Sequence, residues 1–221
     1  MIYHETEHGI LYCGDCLDIL PTLADKSVDL VLTDPPYGVN LEYDNYQDTR
    51  ENLIALIPPL LMHCNRISPL SAITCGIVNI NLYPDYYWVM AWVYDTTSST
   101  GKFGFTQWQP IVMYGQDPYL KNGLGRNVDV IRSTGLDRFK SGHPCSKPEK
   151  FWTTLLLRLS INKGDTIIDP FGGSGTTAIA CIRQNRKYIL IEKEEKYCEI
   201  AAKRIETELE QTDIFREMSC R

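Results

Sequence analysis

The sequence of 221 residues has no long apolar run. Stretches such as Leu53 to Met62 fall short of the roughly 20 residues a membrane helix needs, and Pro58 and Pro59 break this one. No membrane span is expected. Nor is a secretory signal, because Met1-Ile2-Tyr3-His4-Glu5 has neither a basic start nor an apolar core, and a cytoplasmic setting follows as an expectation. The eight cysteines are then expected to be mostly reduced thiols. Cys13-Gly14-Asp15-Cys16 has the spacing of a redox or metal motif, but no second pair stands at zinc spacing, and Asp15 opposes thiolate formation beside it. His4, His8 and His63 are expected to be structural or solvated, and no metal is expected. Positive charge is also short, at 22 Lys and Arg against 28 Asp and Glu for a net charge of −6. That balance argues against a nucleic-acid binder coated in positive charge. No low-complexity tract or fixed-period repeat is present, which excludes a solenoid.

The chain has enough length and, at 43% hydrophobic residues, enough apolar content for one ordinary domain with a buried core. Its charge is unevenly spread. Residues 1–60 carry 11 acids and 2 bases, whereas residues 121–163 carry 9 bases and 3 acids. Taken alone, the basic segment reads as a solvated loop or as a surface that faces phosphate.

Apolar periodicity predicts strands at 10–13, 28–33, 71–78, 88–94, 110–115, 166–169 and 187–192. Helices are predicted over 16–23, 49–66, 148–159, 174–184 and 193–210, with Pro58-Pro59 expected to kink or restart the second. Residues 38–50 read as a loop, and 116–142 show no period. Strands that are nearly all apolar and alternate with helices indicate a mostly parallel twisted sheet covered on both faces. Such sheets bind ligands at the carboxyl ends of their strands. Asp15, Asp34, Asp169 and Glu192 all fall at or just beyond predicted strand ends.

Two of these ends carry motifs. Asp169-Pro170-Phe171-Gly172-Gly173-Ser174-Gly175-Thr176-Thr177-Ala178 joins a strand to a helix, and its glycines let a ligand approach the backbone. A phosphate loop would need Lys where Thr176 stands. A dinucleotide loop fits the spacing of Gly173, Gly175 and Ala178, with Glu192 for ribose hydroxyls. S-adenosylmethionine fits as well, since Asp169 suits an ammonium and would repel a pyrophosphate. The other motif, Asp34-Pro35-Pro36-Tyr37, removes two N–H donors. It leaves a carboxylate and a carbonyl as rigid acceptors beside an aromatic ring, a receptor for an exocyclic amino group on a planar base. A nicotinamide oxidoreductase would use the glycine loop but leave this tetrad without a task.

Together the motifs resemble those of the S-adenosylmethionine-dependent DNA amino-methyltransferases, which methylate N6 of adenine or N4 of cytosine. Asp34-Pro35-Pro36-Tyr37 resembles their catalytic motif, with Asp more typical of adenine enzymes, and Asp169 to Thr177 resembles their cofactor loop. His143-Pro144-Cys145-Ser146-Lys147-Pro148 is similar to the segment before that loop, although Cys145 replaces the usual Thr. The order, catalytic motif first, is that of the beta group. The resemblance implies a single methyltransferase domain over residues 1–221, of Rossmann-like α/β fold with permuted motif order and a short target-recognition insert at 116–142. It implies a site-specific enzyme in a restriction-modification setting, with N6 of adenine favoured by its Asp and N4 of cytosine in DNA or an RNA base as the alternatives. DNA is the implied partner, and a second copy of the chain is a candidate helper in target reading.

Carried onto this sequence, the resemblance places Asp34, Pro35, Pro36 and Tyr37 at the target base. It gives Asp15 and Cys16 to the cofactor's adenine and Glu192 to its ribose. Asp169, Pro170, Phe171, Gly172, Gly173, Ser174, Gly175, Thr176 and Thr177 would cradle the methionine part. His143, Ser146 and Lys147 would close the other side, with Lys147 on the carboxylate. The basic segment becomes the expected phosphate surface, with Lys121, Arg126, Arg132, Arg138 and Lys140 as its first candidates.

Overall fold

A computed structural model describes residues 1–94, 99–101, 103–133 and 147–219. The strands in chain order are β1 (Ile2–Thr6), β2 (Gly9–Cys13), β3 (Leu30–Thr33), β4 (Leu70–Thr74), β5 (Trp88–Tyr94), β6 (Ser99–Gly101), β7 (Gly104–Thr106), β8 (Trp108–Gly115), β9 (Val130–Ser133), β10 (Thr166–Asp169) and β11 (Lys187–Glu192). The helices are α1 (Cys16–Ile19), α2 (Arg50–Ile67), α3 (Pro118–Lys121), α4 (Glu149–Leu159), α5 (Thr176–Arg183) and α6 (Glu195–Ser219).

Nine strands form one sheet in the order β1-β2-β11-β10-β3-β4-β8-β5-β9, while β6 and β7 pair as a separate hairpin. The strands from β2 to β4 are parallel, as expected for buried apolar runs between helices. Strand β8 is antiparallel to both β4 and β5. One face packs against α4, α5 and α6, with Leu30, Leu32, Phe151, Ile179 and Ile205 in its core. The other packs against α1 and α2 through Val31, Ile168, Leu53 and Ile57. Among the described residues no helix is long and apolar enough to cross a membrane.

Several local expectations change. Helix α2 does not restart at Pro58-Pro59 but runs as one element of 18 residues. The prolines remove two N–H donors, yet Leu53, Leu56, Ile57, Leu60, Leu61, Cys64 and Ile67 bury a continuous face and hold the helix on the sheet. Thr49 caps it by accepting from the Asn52 N–H at 3.2 Å. Strand β9 lies inside the stretch that read as an insert and extends the main sheet beside β5. Gly115 ends β8 at φ +97, where an added Cβ would come within 2.1 Å of the Pro69 carbonyl oxygen. Gly115→Ala is expected to cost about 2–4 kcal/mol, from the clash and the left-handed backbone together, measurable by urea unfolding.

Candidate active site

The sheet turns four scattered acids into a row. Strands β2, β11, β10 and β3 are neighbours and parallel, so Asp15, Glu192, Asp169 and Asp34 stand side by side at their carboxyl ends. All four line one cavity of about 390 Å³, within the usual range of small-ligand sites. Its wall also includes Cys16, Pro35, Pro36, Tyr37, Lys147, Pro170, Phe171, Gly172, Gly173, Ser174, Thr176, Thr177, Tyr43 and Tyr46.

At the β3 end, Asp34 is held on both oxygens. Its Oδ1 accepts from the Tyr37 hydroxyl at 2.6 Å and from the Thr74 hydroxyl. Its Oδ2 accepts from the Lys147 ammonium. The Gln109 side-chain amide donates to the Tyr37 hydroxyl. Burial, then the charge of Asp34, pushes the Tyr37 phenol well above its ordinary value, so it remains a donor to the carboxylate. Lys147 also lies 5.3 Å from the Tyr37 ring centre. Sequence reasoning gave Tyr37 a stacking face and missed the Gln109 relay through its hydroxyl.

At the β10 end, Asp169 is buried. It accepts from the Thr33 hydroxyl at 2.7 Å, the Phe171 N–H at 3.0 Å and the Thr177 hydroxyl at 2.5 Å. Burial pushes its carboxyl up to about 6 despite these bonds. Trp152 donates to Thr177 at 2.7 Å and so steadies the contact from α4. At the β11 end, Glu192 accepts from the Gly173 and Glu194 N–H groups, each at 2.8 Å. Burial nevertheless raises its carboxyl above the ordinary value. Burial opposes ionisation of Asp15 too, but the Lys193 ammonium at 2.9 Å and the Leu17 N–H outweigh it and lower its carboxyl.

The loop after the tetrad closes one side. Buried Asp48 accepts from the N–H groups of Gly38, Val39 and Leu41. Buried Glu194 accepts from the Asn45 N–H at 2.7 Å and its side-chain amide at 3.1 Å, tying the loop to the start of α6. Neither acid was singled out from sequence, though both stand in polar turns where an inward carboxylate is the natural cap for free amides. The Tyr46 hydroxyl is buried at this wall with no hydrogen-bond partner among the described residues.

Some expectations need correction. Gly175 does not line the cavity. It caps α5 at φ +84, and an added Cβ would sit 3.1 Å from Ala201 on α6, so its role is a turn and a close helix contact. Among the described residues Cys13 and Cys16 form no disulfide, and burial followed by Asp15 pushes the Cys16 thiol up to about 12. Among the described residues no cluster of three metal-ligating side chains occurs. His143, Ser146, Arg138 and Lys140 lie outside the described residues.

The described residues of the basic segment do not form one surface. Because β8 is antiparallel to β4, the chain leaves Gly115 at the sheet edge opposite the cavity. Lys121 and Arg126 stay at that far edge, where Arg158 pairs with Asp117 and donates to the Val128 carbonyl at 3.1 Å. Strand β9 then returns, and exposed Arg132 comes to the cavity edge beside Val93.

The family model of the N6/N4 methyltransferases, described as DNA methylase, matches residues 88–203. The chain belongs to this family. It is a DNA amino-methyltransferase with the motif order of the beta group. The Type II methyltransferase M.HinfI of Haemophilus influenzae is 26% identical over 243 residues, covering 87% of this chain and 67% of that protein. The DNA adenine methyltransferase YhdJ of Escherichia coli (strain K12) is 26% identical over 240 residues, covering 87% and 81%. Among solved structures, the PvuII DNA methyltransferase, titled cytosine-N4-specific, matches with a TM-score of 0.69 at 18% identity, over 96% of this chain and 92% of that one. A complex titled M1.HpyAVI-SAM matches with a TM-score of 0.63 at 22% identity, over 88% and 98%. These likenesses confirm the Rossmann-like α/β fold of a methyltransferase.

Proposed function

We propose that this DNA methyltransferase transfers a methyl group from S-adenosylmethionine to N6 of an adenine turned out of the duplex. The observation that carries this reading is the shared cavity, where the Asp34 tetrad and the Asp169 glycine loop meet. The residues present suit the cofactor. Asp169 would take its ammonium, Glu192 its ribose hydroxyls, and Asp15 with the Cys16 backbone its adenine edge. Lys147 would take its carboxylate. The cofactor supplies a methyl group already activated on a sulfonium, so the protein's task is placement and charge. The carboxylate of Asp34 and the carbonyl of Pro35 would accept the two hydrogens of the target amino group and so orient its lone pair for transfer. As the nitrogen gains positive charge, both acceptors would stabilise it; the alkylated nitrogen is then acidic and would release one proton by way of Asp34 to solvent, with S-adenosylhomocysteine as the leaving group, so no strong base is required. The Asp at the head of the tetrad and the likeness to YhdJ favour adenine. Transfer from tritiated cofactor to unmethylated bacterial DNA, followed by nucleoside mass spectrometry, tests the reading. N6-methyldeoxyadenosine is expected, N4-methyldeoxycytidine would move the target to cytosine, and an unlabelled DNA fraction would overturn it.

The Lys147 contact gives this reading a kinetic consequence. Lys147 occupies the Asp34 oxygen that the amino group needs. A cofactor carboxylate drawing Lys147 away would free that oxygen, so cofactor and DNA should bind cooperatively. S-adenosylhomocysteine is expected to tighten DNA binding about fivefold or more, and Lys147→Met to abolish that coupling, both read by fluorescence anisotropy. Equal coupling in the variant would remove Lys147 from this exchange.

A further inference from the structure

Three large rings stand in solvent at the sheet edge that carries the cavity. Phe103 is fully exposed at the turn of the β6–β7 hairpin, Phe105 is 73% exposed on β7, and Trp108 is 39% exposed at the start of β8. A soluble protein gains nothing in stability from rings left in water, and a grouped apolar patch marks a contact surface. The location is specific. Strand β8 begins at the sheet edge where β4 ends, and Gln109, the residue after Trp108, reaches the Tyr37 hydroxyl beside Asp34. The hairpin therefore rises directly from the strand that supports the tetrad. Charge stands beside the rings. Val93 pairs with Trp108 on one side and with Arg132 on the other, so Trp108 and Arg132 project from the same face of the sheet.

We infer that the β6–β7 hairpin, with Trp108 and Arg132 at its base, is a DNA contact in which Phe103 and Phe105 enter the base stack beside the turned-out target. A base leaves a gap in the duplex when it is extruded, and apolar wedges between base steps stabilise the opened form. A two-stranded hairpin presents such a wedge on short, paired strands. Arg132 takes a neighbouring phosphate and fixes its orientation. The inference rests on DNA as the substrate and on the turned-out base of the proposed function. It moves target contact from the far-edge residues Lys121 and Arg126 to an aromatic hairpin with Arg132 at its base, whose sequence also carries Lys102 beside Phe103.

The test uses the full chain and a fluorescein-labelled unmethylated DNA fragment. Phe103→Ala with Phe105→Ala is expected to weaken binding about tenfold or more, since base–aromatic stacking of this kind is lost. The slope of log affinity against log salt should not change, because no phosphate contact is removed. Arg132→Gln should lower that slope by about one, and Lys121→Gln should leave it unchanged. Calorimetry with S-adenosylhomocysteine should give wild-type affinity for every variant, confirming folded cavities. DNA carrying 5-iododeoxyuridine should cross-link to Phe103 or Phe105 on irradiation. Wild-type DNA affinity in the double Phe variant would overturn the inference. So would a shift from dimer to monomer in sedimentation with DNA affinity intact, which assigns the rings to a second copy. Transfer is read separately: wild type that binds DNA through the rings yet methylates nothing overturns the proposed function and leaves the surface standing.

Discussion

Replacing Asp34 by Ala is expected to lower methyl transfer about a thousandfold while leaving cofactor affinity undiminished. The reasoning starts from the carboxylate's surroundings. One oxygen is held by the Tyr37 and Thr74 hydroxyls, and the other faces Lys147. Three donors on one carboxylate fix its direction before any substrate arrives, so little reorganisation remains at the moment of reaction. Removing a single preorganised group that faces developing charge costs about a hundred- to a thousandfold in other enzymes. Here the deletion also frees Tyr37 and Lys147, so the loss should reach the upper end. Cofactor affinity is not lost because most expected cofactor contacts are spread over the β2, β10 and β11 ends, and Lys147, released from Asp34, stays free for the cofactor carboxylate. Single-turnover transfer from tritiated cofactor, with calorimetry of S-adenosylhomocysteine on the same protein, separates the two quantities. Asp34→Asn should retain part of the activity, since it keeps one acceptor oxygen and the side-chain shape. Normal turnover by the Ala variant would remove Asp34 from the chemistry.

Much of this site was legible because acids at the ends of apolar strands are a local signal. Strands β5, β10 and β11 match their expected limits, the motif at 34–37 follows the end of β3, and that at 169–177 joins β10 to α5, as expected. Their order in space was not local information. The row Asp15, Glu192, Asp169, Asp34 follows from strand order, which no stretch of sequence states. Strand β1 escaped notice because its residues are half or fully exposed and alternate poorly. Strand β9 escaped because four residues in a glycine-rich stretch show too little periodicity. Gln109 reaches across 72 residues to Tyr37, a contact that only the pairing of β4 with β8 creates. The same antiparallel strand separates Lys121 from Arg132. Read as one basic run they seem a single surface; the direction of β8 puts them at opposite edges.

Cofactor binding is expected to weaken about tenfold per pH unit as the pH falls below about 6, and to level off above it. The argument rests on Asp169. Burial raises its carboxyl from an ordinary 3.8 to about 6, against the opposing pull of the Thr177 and Thr33 hydroxyls and the Phe171 N–H. A raised carboxyl favours the protonated form in the folded chain. The stability it contributes is therefore fully present below the unfolded value and is lost as the pH rises through about 6. Above that point Asp169 is a buried anion with no cation paired to it among the described residues, and under the proposed function an incoming ammonium would supply one. Binding should thus draw a proton off Asp169 at about pH 5.5, and the calorimetric heat of S-adenosylhomocysteine should depend on the buffer there but not at about pH 7.5. Glu192 is also raised by burial, so the pH profile alone does not name the group. Asp169→Asn does. The variant should lose about a hundredfold in affinity at neutral pH, flatten the profile, and melt above the wild type at about pH 7.5, where the buried anion is gone, but not below about pH 5. Retention of the wild-type slope by Asp169→Asn would transfer the ammonium to another carboxylate of the row, and Glu192 stands on the strand next to it.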